Sequence, residues 1–263
     1  MQSSSSTISI TIQYDYAILN LQRGKANVIN QLMVDEIRTA INELESNDQV
    51  KGLIITGHPG FFSAGLDVKE LYRYDKDQIR TFLHDFGKMH NELLRFTKPM
   101  VAAINGHCPA GGTVIVIAAD YRVMVEGEQY TIGLNEMQVN IQVTDILIKG
   151  YNFWIGQSKA CEYLLEGKLA TPSEALTVGL VNAVVPASQL MEKAQQQMQQ
   201  YLSADQDIFR LTKAKIRRDW LASIDDDDLS ELDQALDIWW KPEVRQKMGL
   251  FVQMLEARSK NKG

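Results

Sequence analysis

Two short segments constrain the fold most. Residues 52–56, GLIIT, and 100–104, MVAAI, are apolar at nearly every position and end at glycine-containing turns. Runs of that length read as strands buried on both faces, the kind found inside a covered parallel sheet. Helical periodicity fills the space around them. Leu32, Ile37, Ile41 and Leu44 keep helical spacing up to the Ser46-Asn47-Asp48 loop, and residues 76–96 repeat the pattern before Lys98-Pro99. Strands alternating with helices predict an α/β fold, a parallel sheet with helices packed on it.

The flanks are of different character. Ile8, Ile10 and Ile12 alternate with polar residues, predicting a half-buried strand, and residues 16–21 predict a second. Beyond Gly156, residues 158–165 and 173–180 read as helices, the latter opened by Thr171-Pro172-Ser173. From Gln189 to Ala257 nearly everything is helical, broken near 203–205 and at Lys241-Pro242. The sequence thus divides into a core domain over 1–195 and a helical region over 196–263. The run Asp225 to Asp228 lacks the spaced ligands of a calcium loop and reads as a solvated helix start.

Composition removes several classes. The net charge of −6 carries no basic footprint for nucleic acid. No apolar run is long enough to span a membrane. The Ser-rich start has no Lys or Arg before Arg23, so the chain reads as cytoplasmic. Cys108 and Cys161 are too few for a disulfide framework and are expected reduced and buried. The four histidines are scattered and no C-x-x-C exists, so no metal site is expected.

Three stretches are placed to carry chemistry. GHPGFFSAGLDVKEL, 57–71, runs from a strand through a Gly/Pro loop into a helix starting near Asp67. NGHCPAGGTVIVIAAD, 105–120, does the same with adjacent Gly111 and Gly112. Unpaired N–H groups at two such junctions can converge on one developing oxyanion. The third stretch, TIGLNEMQVNI at 131–141, holds Glu136 alone among apolar and amide residues. Burial there would raise its pKa and suit it to proton transfer, although from spacing alone an exposed loop glutamate is the ordinary reading. No G-x-S-x-G, GxGxxG or P-loop occurs.

FFSAGLD, KPMVAAINGHCPAGG and the following DYRVM, with GLVNAVVP near 185, resemble the crotonase superfamily, also called the enoyl-CoA hydratase/isomerase family. The resemblance implies stacked ββα units with a helical C-terminal trimerisation region, an acyl-CoA thioester substrate, and a homotrimer or dimer of trimers. It implies no cofactor beyond the coenzyme A of the substrate. By position, the N–H groups of Ala64 and Gly111 match the family's oxyanion hole. Gly65, Leu66, Asp67, Val68, Asn135 and Lys25 match substrate contacts. Arg23 and Lys25 match contacts to the CoA phosphates, and Lys213 is a further candidate there.

Hydratases of the family resemble one another in two glutamates. Here the first of those positions is Val114 and only the second, Glu136, is acidic. One carboxylate suits moving a proton between two carbons of one substrate, and CPAGGT, DYRV and YTIGLNE are similar to the mitochondrial-type Δ3,Δ2-enoyl-CoA isomerases. That likeness implies Glu136 as catalytic acid and base. After Glu136 the chain reads MQVNIQVTD where the family more often has a Gly followed by a Pro, and Asn140 alters the pocket wall. A hydratase or other crotonase reaction is the alternative within the fold, and a non-catalytic acyl-CoA-binding protein the alternative outside it.

Overall fold

A computed structural model of the chain describes residues 6–139, 141–225 and 228–260. The alternating start forms β1 (Ile8–Gln13), which pairs antiparallel with β2 (Tyr16–Leu21) across a tight turn. Of the three alternating isoleucines only Ile8 is buried; Ile10 and Ile12 are 40% and 55% exposed. β1 lies at the sheet edge, anchored to α1 (Gln31–Ser46) near its start, where Thr7 donates to Glu36. The expected half-buried face therefore holds for the first residue only.

Three units then repeat one plan. In the first, β3 (Gly52–Thr56) is followed by β4 (Gly60–Phe61), α2 (Val68–Leu71) and α3 (Lys76–Arg95). Next come β5 (Met100–Ile104), β6 (Gly106–Pro109) and α4 (Gly111–Ile117), then β7 (Tyr121–Val125), β8 (Ile132–Gly133) and α5 (Asp145–Glu166). α6 (Pro172–Val178) leads into β9 (Ala183–Val185). The first strand of each unit enters a six-stranded sheet of order β1-β2-β3-β5-β7-β9, parallel beyond the β1–β2 hairpin. The second strand enters a small parallel sheet, β4-β6-β8. This is the stacked ββα arrangement.

Local chemistry explains the helix starts. Asp75 and Gln78 close a capping box on α3, and Thr171 with Glu174 closes one on α6. α5 starts well before the expected position, at Asp145, and its backbone departs from helical angles at Gly156 (φ 75°). Its first half, DILIKGYNFWI, is apolar on so many sides that no single stripe marks it as helical.

Among the described residues five further helices follow: α7 (Leu190–Leu202), α8 (Gln206–Ile216), α9 (Arg218–Leu221), α10 (Ser230–Trp239) and α11 (Pro242–Lys260). A domain boundary between 195 and 196 would cut α7, whose Ala194 and Met198 pack with Ile54 and Val101 of the large sheet. Trp220, Leu236, Trp239 and Met248 join the same apolar core as Phe82 and Ile115. The C-terminal helices are thus part of the core rather than an appendage. Of the Asp225–Asp228 run, residues 226 and 227 lie outside the described residues; Asp225 and Asp228 are exposed ahead of α10. Cys108 is buried as expected, but Cys161 is exposed on α5.

Candidate active site

The first junction is built by hydrogen bonding to residues 26–29. Ser63 Oγ donates to the Asn27 carbonyl (2.7 Å) and accepts from the Gly65 N–H (3.1 Å), so this buried serine is a turn-former and no nucleophile. Ile29 pairs with Leu66 in a parallel bridge: the Ile29 N–H donates to Gly65 O (2.9 Å) and the Asp67 N–H to Ile29 O (2.8 Å). Such a bridge turns the Leu66 N–H away from Ile29, and among the described residues it has no acceptor. The Ala64 N–H is already given to the Ala26 carbonyl (2.9 Å). This corrects the sequence-based expectation: the N–H this stretch leaves open is that of Leu66, not Ala64.

The second junction answers why two glycines stand together. Ala110, just before α4, has φ 48° and ψ −120°, a strained conformation for a residue with a side chain. It is held by its N–H to Gly133 O (2.8 Å) and by Val114 N–H on its carbonyl (3.0 Å). The sharp turn starts a helix whose first N–H groups have no intrahelical acceptor and no side-chain cap. A Cβ on Gly112 would sit 3.0 Å from Ser63 O, so this glycine lets α4 touch the first junction. A Cβ on Gly65 (φ 88°) would sit 3.4 Å from the Gly111 nitrogen, which puts the two junctions side by side.

Glu136 opens a short 3-10 turn, Glu136–Val139. Its position relative to α4 is fixed through Thr113, whose Oγ1 accepts from the Gly133 N–H (2.9 Å). Glu136 is only 9% exposed, and its Oε2 is buried without a hydrogen-bond partner. Burial raises its pKa to about 7, against a smaller lowering by its own backbone N–H. The exposed-loop reading is therefore overturned, because residues distant in sequence cover the side chain.

A cavity of about 590 Å³ joins these groups, with Leu66, Gly111, Val114 and Glu136 on its wall and Phe86 and Trp239 further along. Ala64, Val68 and Asn135 also line it, and the Asn135 Oδ1 is buried without a partner. Gly65 shapes the backbone between Ala64 and Leu66. Asp67 is no wall residue: it caps α2 and pairs with Arg23 at 2.8 Å. Arg23 is held by Asp67 and by Glu70 (3.0 Å), and Lys213 is buried against Asp120 (2.8 Å). Both are structural cations, which corrects their assignment to CoA phosphates. Lys25 is exposed near the first junction, one residue before Ala26. Asn140 lies outside the described residues, while its neighbours Val139 and Ile141 line the cavity. The thiol of Cys108 is pushed well up in pKa by burial and is no thiolate.

Sequence reasoning passed over two cavity groups, His90 and Trp239. A lone histidine on a helix and a tryptophan far down the chain carry no motif, and only the fold brings them to one wall. Among the described residues no group of three or more His, Cys, Asp or Glu side chains gathers, and no helix is long and apolar enough to cross a membrane.

The "Enoyl-CoA hydratase/isomerase" family model matches residues 12–241. A mouse protein named "Enoyl-CoA delta isomerase 1, mitochondrial" is 34% identical over 203 residues, 77% of this chain and 70% of that one. The crystal structure of human mitochondrial Δ3-Δ2-enoyl-CoA isomerase superposes with a TM-score of 0.91 at 26% identity, covering 96% of this chain and 99% of that one. A "Probable enoyl-CoA hydratase" of Bacillus subtilis is 28% identical over 189 residues, 71% of this chain and 72% of that one. The chain belongs to the enoyl-CoA hydratase/isomerase, or crotonase, family. It has the family's fold and is an acyl-CoA-processing enzyme.

Proposed function

We propose that the protein converts a 3-enoyl-CoA to the conjugated 2-enoyl-CoA, with Glu136 as the single acid and base. The observation that carries this reading is one cavity holding a buried carboxylate with one unpartnered oxygen and two open backbone N–H groups, with apolar Val114 at the other proton-transfer position. The Glu136 carboxylate removes a proton from C2. The electron pair moves onto the thioester oxygen, and the resulting dienolate accepts hydrogen bonds from the Leu66 and Gly111 N–H groups. The protonated Glu136 then delivers its proton to C4, and the double bond comes to rest between C2 and C3. A pKa near 7 suits one group to both roles. Each N–H donor of such a site contributes about 3–4 kcal/mol to the transition state.

The reaction so written needs no group beyond the chain and the coenzyme A of the substrate. Lys25, exposed and without an ion-pair partner among the described residues, is the cation for the CoA phosphates in this reading. In this reading Asn135 contacts the acyl chain or thioester region, where its open Oδ1 can only accept from a substrate N–H. A trimer, or a dimer of trimers, belongs to the same proposal, supported by exposed Ile208, Leu211 and Ile216 on α8, and sedimentation decides it. The cytoplasmic location is likewise a proposal, set against relatives named as mitochondrial, and cell fractionation decides that.

The deciding experiment follows conjugated product in the ultraviolet after adding a cis-3-enoyl-CoA. Glu136→Gln is expected to lower kcat by about 10²- to 10⁴-fold with acyl-CoA binding retained. A fully active variant overturns the assignment. 3-Hydroxyacyl-CoA formed from an added 2-enoyl-CoA, with no conjugated product from the 3-enoyl-CoA, would favour a hydratase, and binding without turnover of either substrate a non-catalytic protein.

A further inference from the structure

The cavity wall carries polar atoms that the proton transfer does not use. His90 lies on the buried face of α3 and is 2% exposed. Its Nδ1–H donates to the Val114 carbonyl at 2.9 Å; since a carbonyl only accepts, the ring proton sits on Nδ1. Burial holds the pKa down to about 4, opposed by the Val114 hydrogen bond and assisted by Arg217. The ring is therefore neutral near pH 7, and Nε2 is a bare acceptor. Nε2 is buried without a partner, and His90 lines the cavity.

α10 supplies the complementary atom. Trp239 lines the same cavity, and its Nε1–H, a donor only, is also buried without a partner. Val114 is roughly one helical turn beyond Gly111, at ~1.5 Å per residue, and His90 is bonded to the Val114 carbonyl, so the ring is set along α4 from the oxyanion donor. A plain alkyl tail leaves both atoms unpaired, as they are without it, and gains nothing from them. A water on Nε2 alone lacks the several polar partners that buried water needs. A hydroxyl donates to an acceptor and accepts from a donor, so it supplies what each atom lacks. A ketone serves only the tryptophan.

We propose that the cavity selects acyl chains bearing a hydroxyl beyond the reacting carbons, with His90 Nε2 accepting from it and Trp239 as the second contact. This specificity rests on the acyl-CoA reading above. Saturated acyl-CoAs, which cannot isomerise, separate it from catalysis.

The test is calorimetry on the full chain with an unsubstituted saturated acyl-CoA and with analogues carrying one hydroxyl or one ketone at successive carbons from about C5 outward. One hydroxyl position is expected to bind about 10-fold tighter than the plain chain, and the matching ketone not to. His90→Asn keeps a donor for Val114 and drops the Nε2 acceptor, and it is expected to abolish the gain. Trp239→Phe, on another helix, is expected to shrink it. The proposal is overturned if no hydroxyl position gains, or if the gain persists in both variants. Failure to bind any acyl-CoA overturns the acyl-CoA reading as well. Tight hydroxyacyl binding without turnover of 3-enoyl-CoA overturns only the isomerase assignment.

Discussion

Asp120 and Glu136 are carboxylates of one core in opposite conditions. Asp120 accepts from Arg217 Nη2 (2.7 Å), Lys213 Nζ (2.8 Å) and the Met100 N–H (2.8 Å), so both its oxygens are satisfied. Glu136 has an oxygen with no partner at all. The difference separates a charge that holds structure from one held ready for a substrate. Asp120 ties α8 and its C-terminal end to the strand and helix that carry Gly111. Glu136 is kept poised by the same frame, which supplies it with burial but no cation.

The largest effect expected on the structural side follows from removing Asp120. Asp120→Ala would leave Arg217 and Lys213, only 2% and 8% exposed, as buried cations without a counter-charge. Breaking a buried pair in this way costs about 3–5 kcal/mol, to be read from urea unfolding. The comparison sharpens if the folded fraction of Asp120→Ala keeps its KM, and it breaks if stability falls by less than about 1 kcal/mol, the range of solvent-screened pairs.

The two carboxylates also show what a sequence can and cannot reveal. α1, α3 and the strands at 52–56 and 100–104 were legible because their signals are local: spacing, caps and turns. β4, β6 and β8 were not, since strands of two to four residues exist only by pairing with one another across the units. Arg23 and Lys213 looked like free surface cations because their partners, Asp67 and Asp120, stand 44 and 93 residues away. Glu136 was legible as a candidate through its motif, yet its burial depends on neighbours no local pattern displays. Gly111 was legible from the Gly pair. The choice of Leu66 over Ala64 depends on which N–H the 26–29 segment consumes.

A second test uses pH, because an unpaired buried carboxyl opposes folding where a paired one does not. The Glu136 pKa is raised in the fold, from 4.5 to about 7. Below about pH 4.5 both folded and unfolded chains hold the proton and the shift has no effect. Between about 4.5 and 7 the unfolded chain releases it first, so stability falls as pH rises. Above about 7 the full penalty of roughly 3 kcal/mol remains. Glu136→Gln should therefore gain stability over wild type as pH climbs through that window, measured by urea unfolding at pH 4.5, 6 and 8. Parallel curves for the two proteins would mean that solvent reaches the carboxylate, and the contrast with Asp120 would be lost. The same titration should give kcat/KM an acid limb near pH 7, since only the carboxylate can take the C2 proton.

The smallest effect concerns backbone rather than charge. Ala110 holds φ 48°, ψ −120° beside the oxyanion donors, where a glycine would sit without strain. Relief of that strain favours Ala110→Gly, while the greater freedom of glycine in the unfolded chain opposes it. The net expectation is a gain of about 0.5–1 kcal/mol, seen as a rise in Tm of roughly 2 °C. Turnover should move the other way, by a factor of a few, because the Ala110 methyl restricts the turn that aims the Gly111 N–H. Gain in stability with loss of kcat and little change in KM would place strain alongside the unpaired carboxylate as something the site retains at the expense of stability. A fall in both would mean that the methyl group matters through packing, and that the strained angle is incidental to the donor it precedes.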